Sequence, residues 1–207
     1  KEERQIAKTV SFLIVYGGGA FNLSETMRIP LDRAKEIINN YKRVYPGVFR
    51  YMEHVNEFIR ENGYAYTIFG RRRNLRDVNS KDKGVVNRAP RQGLNFTIQS
   101  TASDILLCGL LGIHDSFTNA KMKSRIVATV HDSIELICPP EELAEACSIV
   151  FNELVNYPYM RNKFGIDLAV PLGVDMEVGR SFGDGVSVDL SDLKVTNLQE
   201  ILSYLNQ

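Results

Sequence analysis

Arg4, Lys8, Phe12 and Tyr16 recur at steps of four and end against Gly17. On an α-helix each such step turns the chain by about 400°, so the four side chains form one slowly winding stripe. Two cations lead it and two aromatics follow. Cations in the first turns oppose the helix dipole, which favours anions there. An external polyanion such as a triphosphate resolves that misfit, and the aromatics can then stack on a base or sugar. An ordinary amphipathic helix with a solvated basic edge has the same spacing. A second set at steps of four is Arg91, Asn95 and Gln99, set among Leu94, Phe96 and Ile98. Polar amides in such surroundings need partners. An Asn or Gln amide both donates and accepts, which suits the minor-groove edge of any base pair; solvation at a helix surface is the alternative.

Two further features could carry chemistry. His131-Asp132-Ser133 interrupts two apolar runs. A hairpin tip of this kind projects a carboxylate from a rigid support. Magnesium takes one or two carboxylates and leaves room for phosphate oxygens and water. A pair of such ions about 4 Å apart can activate a hydroxyl and stabilise a leaving oxygen. A solvated turn aspartate is the plainer reading. The stretch Gly63 to Arg73, GYAYTIFGRRR, clusters arginines that can neutralise phosphates independently of sequence or simply be solvated. Gly17-Gly18-Gly19 follows a helix and not a strand, so it is a helix stop and not a dinucleotide fingerprint. His54 and His114 lack partners at ligand spacing.

The elements that position these residues follow from hydrophobic period and punctuation. Glu2 to Tyr16 reads as a helix, with Ile6, Val10 and Leu13 at helical spacing. Leu23 to Arg28 is a short helix, and Leu31 to Tyr45 and Val48 to Glu61 are longer ones, closed by Pro46-Gly47 and Asn62-Gly63. Tyr64 to Phe69 reads as a strand, followed by a basic loop to about Val86. Asn87 to Thr118 is helical with a break expected near Pro90. Ser124 to Val130 and Ile134 to Cys138 form a β-hairpin, Glu141 to Asn156 an amphipathic helix, Leu168 to Val178 a strand and Leu198 to Leu205 a helix. Helices in a run followed by a small antiparallel sheet make an α+β fold.

The 44% apolar and 24% charged content of the 207 residues is that of a globular chain. Lys+Arg and Asp+Glu are both 25, giving zero net charge, where nucleic-acid binders are often basic overall. The charge is unevenly spread, however. Arg71, Arg72, Arg73, Arg76, Lys81, Lys83, Arg88 and Arg91 face only Asp77 and Asp82 in their segment, while acids gather at Glu141, Glu142 and Glu145. Three cysteines without CxxC spacing suggest neither a disulfide framework nor a zinc site, and imply a reducing compartment. No apolar run is expected to reach the roughly 20 residues of a membrane span, so no membrane partner is expected. The chain opens at Lys1 in what reads as the middle of a helix, as a piece of something longer.

The string Arg4-x-x-x-Lys8-x-x-x-Phe12-x-x-x-Tyr16-Gly17 resembles the fingers-helix motif of family A, DNA polymerase I-like, DNA polymerases. The stretch from Arg91 to Asp104 resembles the segment of that family beside the nascent primer–template pair, with Ser100 where Gly is usual. Val130-His131-Asp132-Ser133 resembles its second palm motif, with Ser133 where Glu is usual. The resemblance runs from Arg4 to Asp132 in the family's order. It implies that Arg4 and Lys8 bind the incoming triphosphate, with Lys8 as general acid for the pyrophosphate. Phe12 then packs near the sugar and influences dideoxynucleotide acceptance, and Tyr16 with Gly17 lies by the template base. It further implies DNA contact at Arg91, Asn95, Gln99, His131, Arg71 and Arg72, and metal ligation at Asp132. No metal or water role falls on Ser133.

By this resemblance residues 1–65 are fingers helices. Residues 66–207 are the remaining fingers and palm portion, with the Arg/Asn/Gln helix and the hairpin. The implied function is the C-terminal part of a template-directed DNA polymerase adding deoxynucleotides to a primer 3′ end by two-metal phosphoryl transfer with Mg2+. The family's first palm motif, with its aspartate, is not among these residues. Glu135 is expected on the opposite strand face from Asp132, Asp104 lies past the helix's DNA-facing stripe, and Asp175 cannot be placed, so no internal replacement is found. The expected partners are primer–template DNA, deoxynucleoside triphosphates, and an N-terminal segment or separate chain carrying the first palm motif and thumb. The expected location is the cytoplasm of a bacterium or phage-infected host, or an organelle. Two alternatives stand: a non-catalytic nucleic-acid-binding module retaining the fold, indifferent to Asp132→Ala, and a related single-subunit RNA polymerase. Phe12 and the Arg91/Asn95/Gln99 stretch favour the DNA enzyme.

Overall fold

The structure, a computed structural model, describes the backbone of residues 2–79 and 83–206 and the side chains of 4–78 and 88–206. Lys81 and Asp82 of the basic segment lie outside the described residues. Contacts divide the chain into two compact units, Lys1–Thr101 and Ala102–Gln207.

In the first unit, helix α1 (Glu2–Val15) is followed by α2 (Ala20–Met27), α3 (Leu31–Val44) and α4 (Pro46–Asn62). Val10 and Ile14 of α1 are buried with Leu23 and Ala34, which leaves the other side of α1 to solvent. α3 carries Asp32 in its first turn and Lys42 and Arg43 in its last, matching the sign of the helix dipole at each end. α4 starts with a proline in its first turn and ends on Gly63 in the left-handed region, φ 72°. A second core gathers Val55, Ile59, Ala65, Leu75, Val78, Ala89, Leu94 and Phe96. Gly93 is the point of closest approach: a Cβ there would lie 2.2 Å from Ile59 Cδ1.

The expected strand Tyr64 to Phe69 is shorter than its composition suggested. β1 covers Tyr64–Tyr66, the chain turns through Gly70 (φ 78°), and the arginines return as β2 (Arg72–Asn74), paired antiparallel with Ala65 opposite Arg73. The turn is closed by Gly70 N–H to Thr67 O at 2.8 Å and Thr67 N–H to Arg71 O at 2.9 Å. The basic segment is therefore in part a strand and not wholly a loop.

Helix α5 (Lys83–Asn119) runs unbroken through Pro90, against the expected break. Proline removes one helical donor and clashes one turn back; Ala89 and Leu94, buried in the core on either side of it, hold the helix through the defect. Residues Arg88–Asn119 are long and apolar enough to cross a bilayer by length and composition, contrary to the expectation that no run would be. Leu94 and Phe96 are buried in one core and Ile113 and Phe117 in another, while Leu107 and Leu111 are 51% and 44% exposed; a core helix meets the same criterion.

In the second unit, β3 (Arg125–Val130) and β4 (Ser133–Ile137) form an antiparallel hairpin with Val130 opposite Ser133 and a register shift between Ile126 and Ala128. Ile126, Ile134 and Leu136 pack on Ile113, Phe117, Ala146 and Val150. Helix α6 (Leu143–Phe151) passes into a π-helical turn, Asn152–Asn156, and a further helix α7 (Pro158–Phe164) follows; no helix was expected there. The strand expected over Leu168 to Val178 starts later, as β5 (Glu177–Ser181), paired with β6 (Asp184–Ser187). β7 (Leu190–Ser191), β8 (Lys194–Val195) and α8 (Leu198–Leu205) complete the unit. Ile201 of α8 is buried against Leu143 and Cys147 of α6. The whole is α+β, as expected.

Candidate nucleotide and nucleic-acid site

The end of α1 sets the first cluster. Gly17 N–H bonds Ile14 O at 2.9 Å and Gly18 N–H bonds Leu13 O at 2.7 Å, the two reverse bonds of a Schellman cap. The cap needs a left-handed residue, and Gly17 sits at φ 78°. It also leaves Tyr16 as the last residue on the stripe. Arg4, Lys8, Phe12 and Tyr16 are all exposed. The Phe12 and Tyr16 rings stack at 6.0 Å and 9°. Neither Arg4 nor Lys8 pairs with an acid among the described residues. The expected stripe therefore exists, with its polar and aromatic groups open.

The second cluster meets the first. A Cβ on Gly17 would stand 2.8 Å from Arg91 Cγ, so the Arg91 stem lies directly on that glycine. Gln99 Nε2 donates to Tyr16 Oη at 3.3 Å. Arg91 and Gln99, two turns apart on α5, thus both touch the end of α1. Between them, Asn95 Oδ1 is enclosed and takes no hydrogen bond. An enclosed orphan acceptor costs about 1–3 kcal/mol, and a ligand donor reaching it removes that cost. Tyr51 was not singled out from the sequence. Its hydroxyl donates to Thr97 Oγ1 at 2.9 Å, while Thr97 bonds Leu94 O, tying α4 to this turn of α5. Only a contact between elements distant in sequence reveals it.

The arginines divide. Arg71 Nη2 donates to Ser100 O at 3.1 Å, and its guanidinium lies 5.4 Å from the Phe96 ring centre, with Arg73 6.0 Å from the same ring. Arg72 lies over Tyr64 at 4.7 Å, on the other face of the ribbon, as strand alternation requires. Arg71 is therefore beside the Asn95/Gln99 helix and Arg72 is not.

In the second unit the hairpin turn is His131-Asp132. His131 takes a left-handed conformation, φ 56°, which two-residue hairpins favour at their first central position and which His tolerates better than most side chains. His131 and Asp132 are exposed. The base of the hairpin is pinned by Glu142, whose carboxylate accepts from Lys123 N–H at 2.9 Å, Ser124 N–H at 2.8 Å and Ser124 Oγ at 2.6 Å. Those donors, Lys123 N–H foremost and then the Ser124 hydroxyl, hold the Glu142 carboxyl below its ordinary value of 4.5. A lowered folded value means that the bracket stabilises the fold above the unfolded value and loses that contribution as pH falls through the folded one. Glu142→Gln is accordingly expected to lower the urea midpoint near neutral pH. The gap to the unsubstituted chain should close on acidification below about 4.5, read from paired unfolding curves.

Among the described residues no three His, Cys, Asp or Glu side chains gather as a metal site. A single exposed carboxylate at a hairpin tip fits a share in a Mg2+ site, since that ion takes one or two carboxylates and keeps the rest of its shell for water and phosphate.

Comparison with known proteins places the chain. The model of DNA polymerase family A matches residues 1–184, and the chain belongs to that family. It is 35% identical over 181 residues to DNA polymerase I of Treponema pallidum (strain Nichols), covering 87% of this chain and 17% of that protein. It is 32% identical over 199 residues to the DNA polymerase of Bacillus phage SP01, covering 94% of this chain and 22% of that one. Among solved structures it is similar to the POL domain of Pol1 from M. smegmatis in complex with DNA primer-template and dNTP. There the TM-score is 0.77 at 29% identity, over 84% of this chain and 29% of that chain. The chain spans about a fifth of the length of these sequence relatives. The α+β fold is that of the fingers and palm of such a polymerase.

Proposed function

We propose that this chain is the C-terminal part of a template-directed DNA polymerase that adds deoxynucleotides to a primer 3′ end. The first palm motif comes from a preceding segment or a separate chain. The observation that carries the reading is the junction of α1 and α5. The open Arg4/Lys8/Phe12/Tyr16 stripe ends where Gly17 meets Arg91 and Tyr16 meets Gln99, so triphosphate-binding and base-pair-reading groups adjoin. Arg4 and Lys8 neutralise the triphosphate, Phe12 and Tyr16 offer ring faces to sugar and base, and Arg91, Asn95 and Gln99 read the minor-groove edge. Arg71 and Arg72 approach backbone phosphates. Asp132 presents its carboxylate to Mg2+, with His131 beside the primer end. When bound, a pair of such ions activates the primer hydroxyl and stabilises the leaving oxygen; this chain supplies one of the carboxylates.

The exposed valines of β3 are consistent with further chain beside the hairpin. Val127 is 50% and Val130 43% exposed on β3, and no third strand pairs with the hairpin among the described residues. Elsewhere in the unit, Leu172, Val174 and Met176 alternate half-buried with exposed neighbours and lie in no paired strand among the described residues, although Met176 packs on the cores around Ile113 and Ile201. A cytoplasmic location in a bacterium or infected host, or an organelle, goes with this reading.

Anisotropy titration of a labelled primer–template tests the nucleic-acid half of the proposal. Binding that weakens steeply with salt, as phosphate contacts require, is expected. Salt-independent binding, or none, contradicts it.

A further inference from the structure

The β3–β4 hairpin carries one acid, Glu135, that the roles above leave without a task. Ile134 and Leu136 point into the core with Ile113 and Phe117. Ser133 and Glu135 therefore share the opposite, open face, across from Val130 and Ala128. Glu135 is only half-buried. Its Oε1 accepts from Ser133 Oγ at 2.8 Å, while the same hydroxyl lies 3.1 Å from Val130 O. Its Oε2 takes no hydrogen bond from the described residues and is not enclosed. Strand alternation placed Glu135 away from Asp132 in the sequence. In the structure the strand begins at Ser133 and Asp132 stands in the turn, so strand alternation alone does not set the side on which Asp132 lies. A carboxylate flanked by Ala128 and the exposed Val130, paired with no cation among the described residues, is favoured when a cation comes near.

We propose that Glu135, held by the Ser133 hydroxyl, is a positioning residue for the divalent cation at Asp132, facing the ion's water shell and not the ion. The inference rests on the reading of Asp132 as a metal ligand. Ser133 aims the carboxylate, and position 135 supplies the hairpin's second negative charge. Outer-shell partners of this kind are worth about tenfold in metal affinity.

The test is a Mn2+ titration of the isotope-labelled chain, reading paramagnetic broadening of the amides of residues 131–133, with thermal unfolding of each variant alongside. Glu135→Gln is expected to need about tenfold more Mn2+ for half-broadening, with Ser133→Ala intermediate. The double change Ser133→Glu with Glu135→Val should return to the unsubstituted midpoint, and unchanged thermal unfolding of Glu135→Gln separates a charge effect from a purely structural one. Asp132→Ala should abolish the specific broadening. A Glu135→Gln midpoint equal to the unsubstituted one, with Asp132→Ala still abolishing it, overturns the proposal and leaves the Asp132 reading intact. Failure of the double change to restore binding, or no effect of Ser133→Ala, also overturns it. No specific broadening in the unsubstituted chain, or broadening indifferent to Asp132→Ala, overturns the underlying reading instead.

Discussion

Asp132→Ala is expected to cut primer extension about 10³-fold or more when this chain is combined with a segment carrying the first palm motif and thumb. A metal ligand supports several kcal/mol of transition-state charge stabilisation, and each 1.36 kcal/mol is tenfold in rate. The fold should be indifferent. Asp132 is exposed in the turn, and no described side chain depends on it for a hydrogen bond; surface changes of that kind stay within about 0.5 kcal/mol. Incorporation rates and thermal unfolding measured on the same preparation separate the two effects. An unchanged rate would favour the non-catalytic alternative.

Lys8→Ala is expected to slow single-nucleotide incorporation by about 10²–10⁴-fold, the usual worth of a positioned general acid. Lys8 lies exposed on α1, one turn before Phe12, so its loss leaves the Val10/Ile14 core untouched. Lys8→Arg discriminates between charge and proton transfer. Arginine keeps the cation but does not give up a proton in proteins, so nucleotide affinity should be largely retained while the rate at saturating nucleotide stays low. Recovery of that rate by arginine would reduce Lys8 to an electrostatic contact.

The parts legible in the sequence were those with a strong local signal. α1 and its stripe followed from four-residue spacing and a glycine stop, and the hairpin from two apolar runs around His131-Asp132. α5 was found but its expected break at Pro90 was not, because burial of Ala89 and Leu94 overrides a local propensity. α7 was missed since seven residues are too few to show a period, and its anchor is the full burial of Met160. The misplaced strand over Leu168 to Val178 has the alternation of one, but pairing needs a neighbour that composition does not reveal. In the site, spacing marked Arg4, Lys8, Phe12, Tyr16, Arg91, Asn95, Gln99 and Asp132 as candidates, and the roles proposed for them came from the family resemblance. The Tyr16–Gln99 bond, the Tyr51–Thr97 tie and the Ser133–Glu135 pair were out of reach, because each depends on where folding brings a side chain.

The central claim is that this chain is one part of a polymerase active site. Its most direct test is primer extension with Mg2+ and the four deoxynucleotides, by the chain alone and mixed with a segment carrying the first palm motif and thumb. Extension in the mixture and none by the chain alone is the predicted result. Full extension by the chain alone would contradict the need for a second part. No extension by a mixture that demonstrably associates and binds DNA would contradict the polymerase assignment itself.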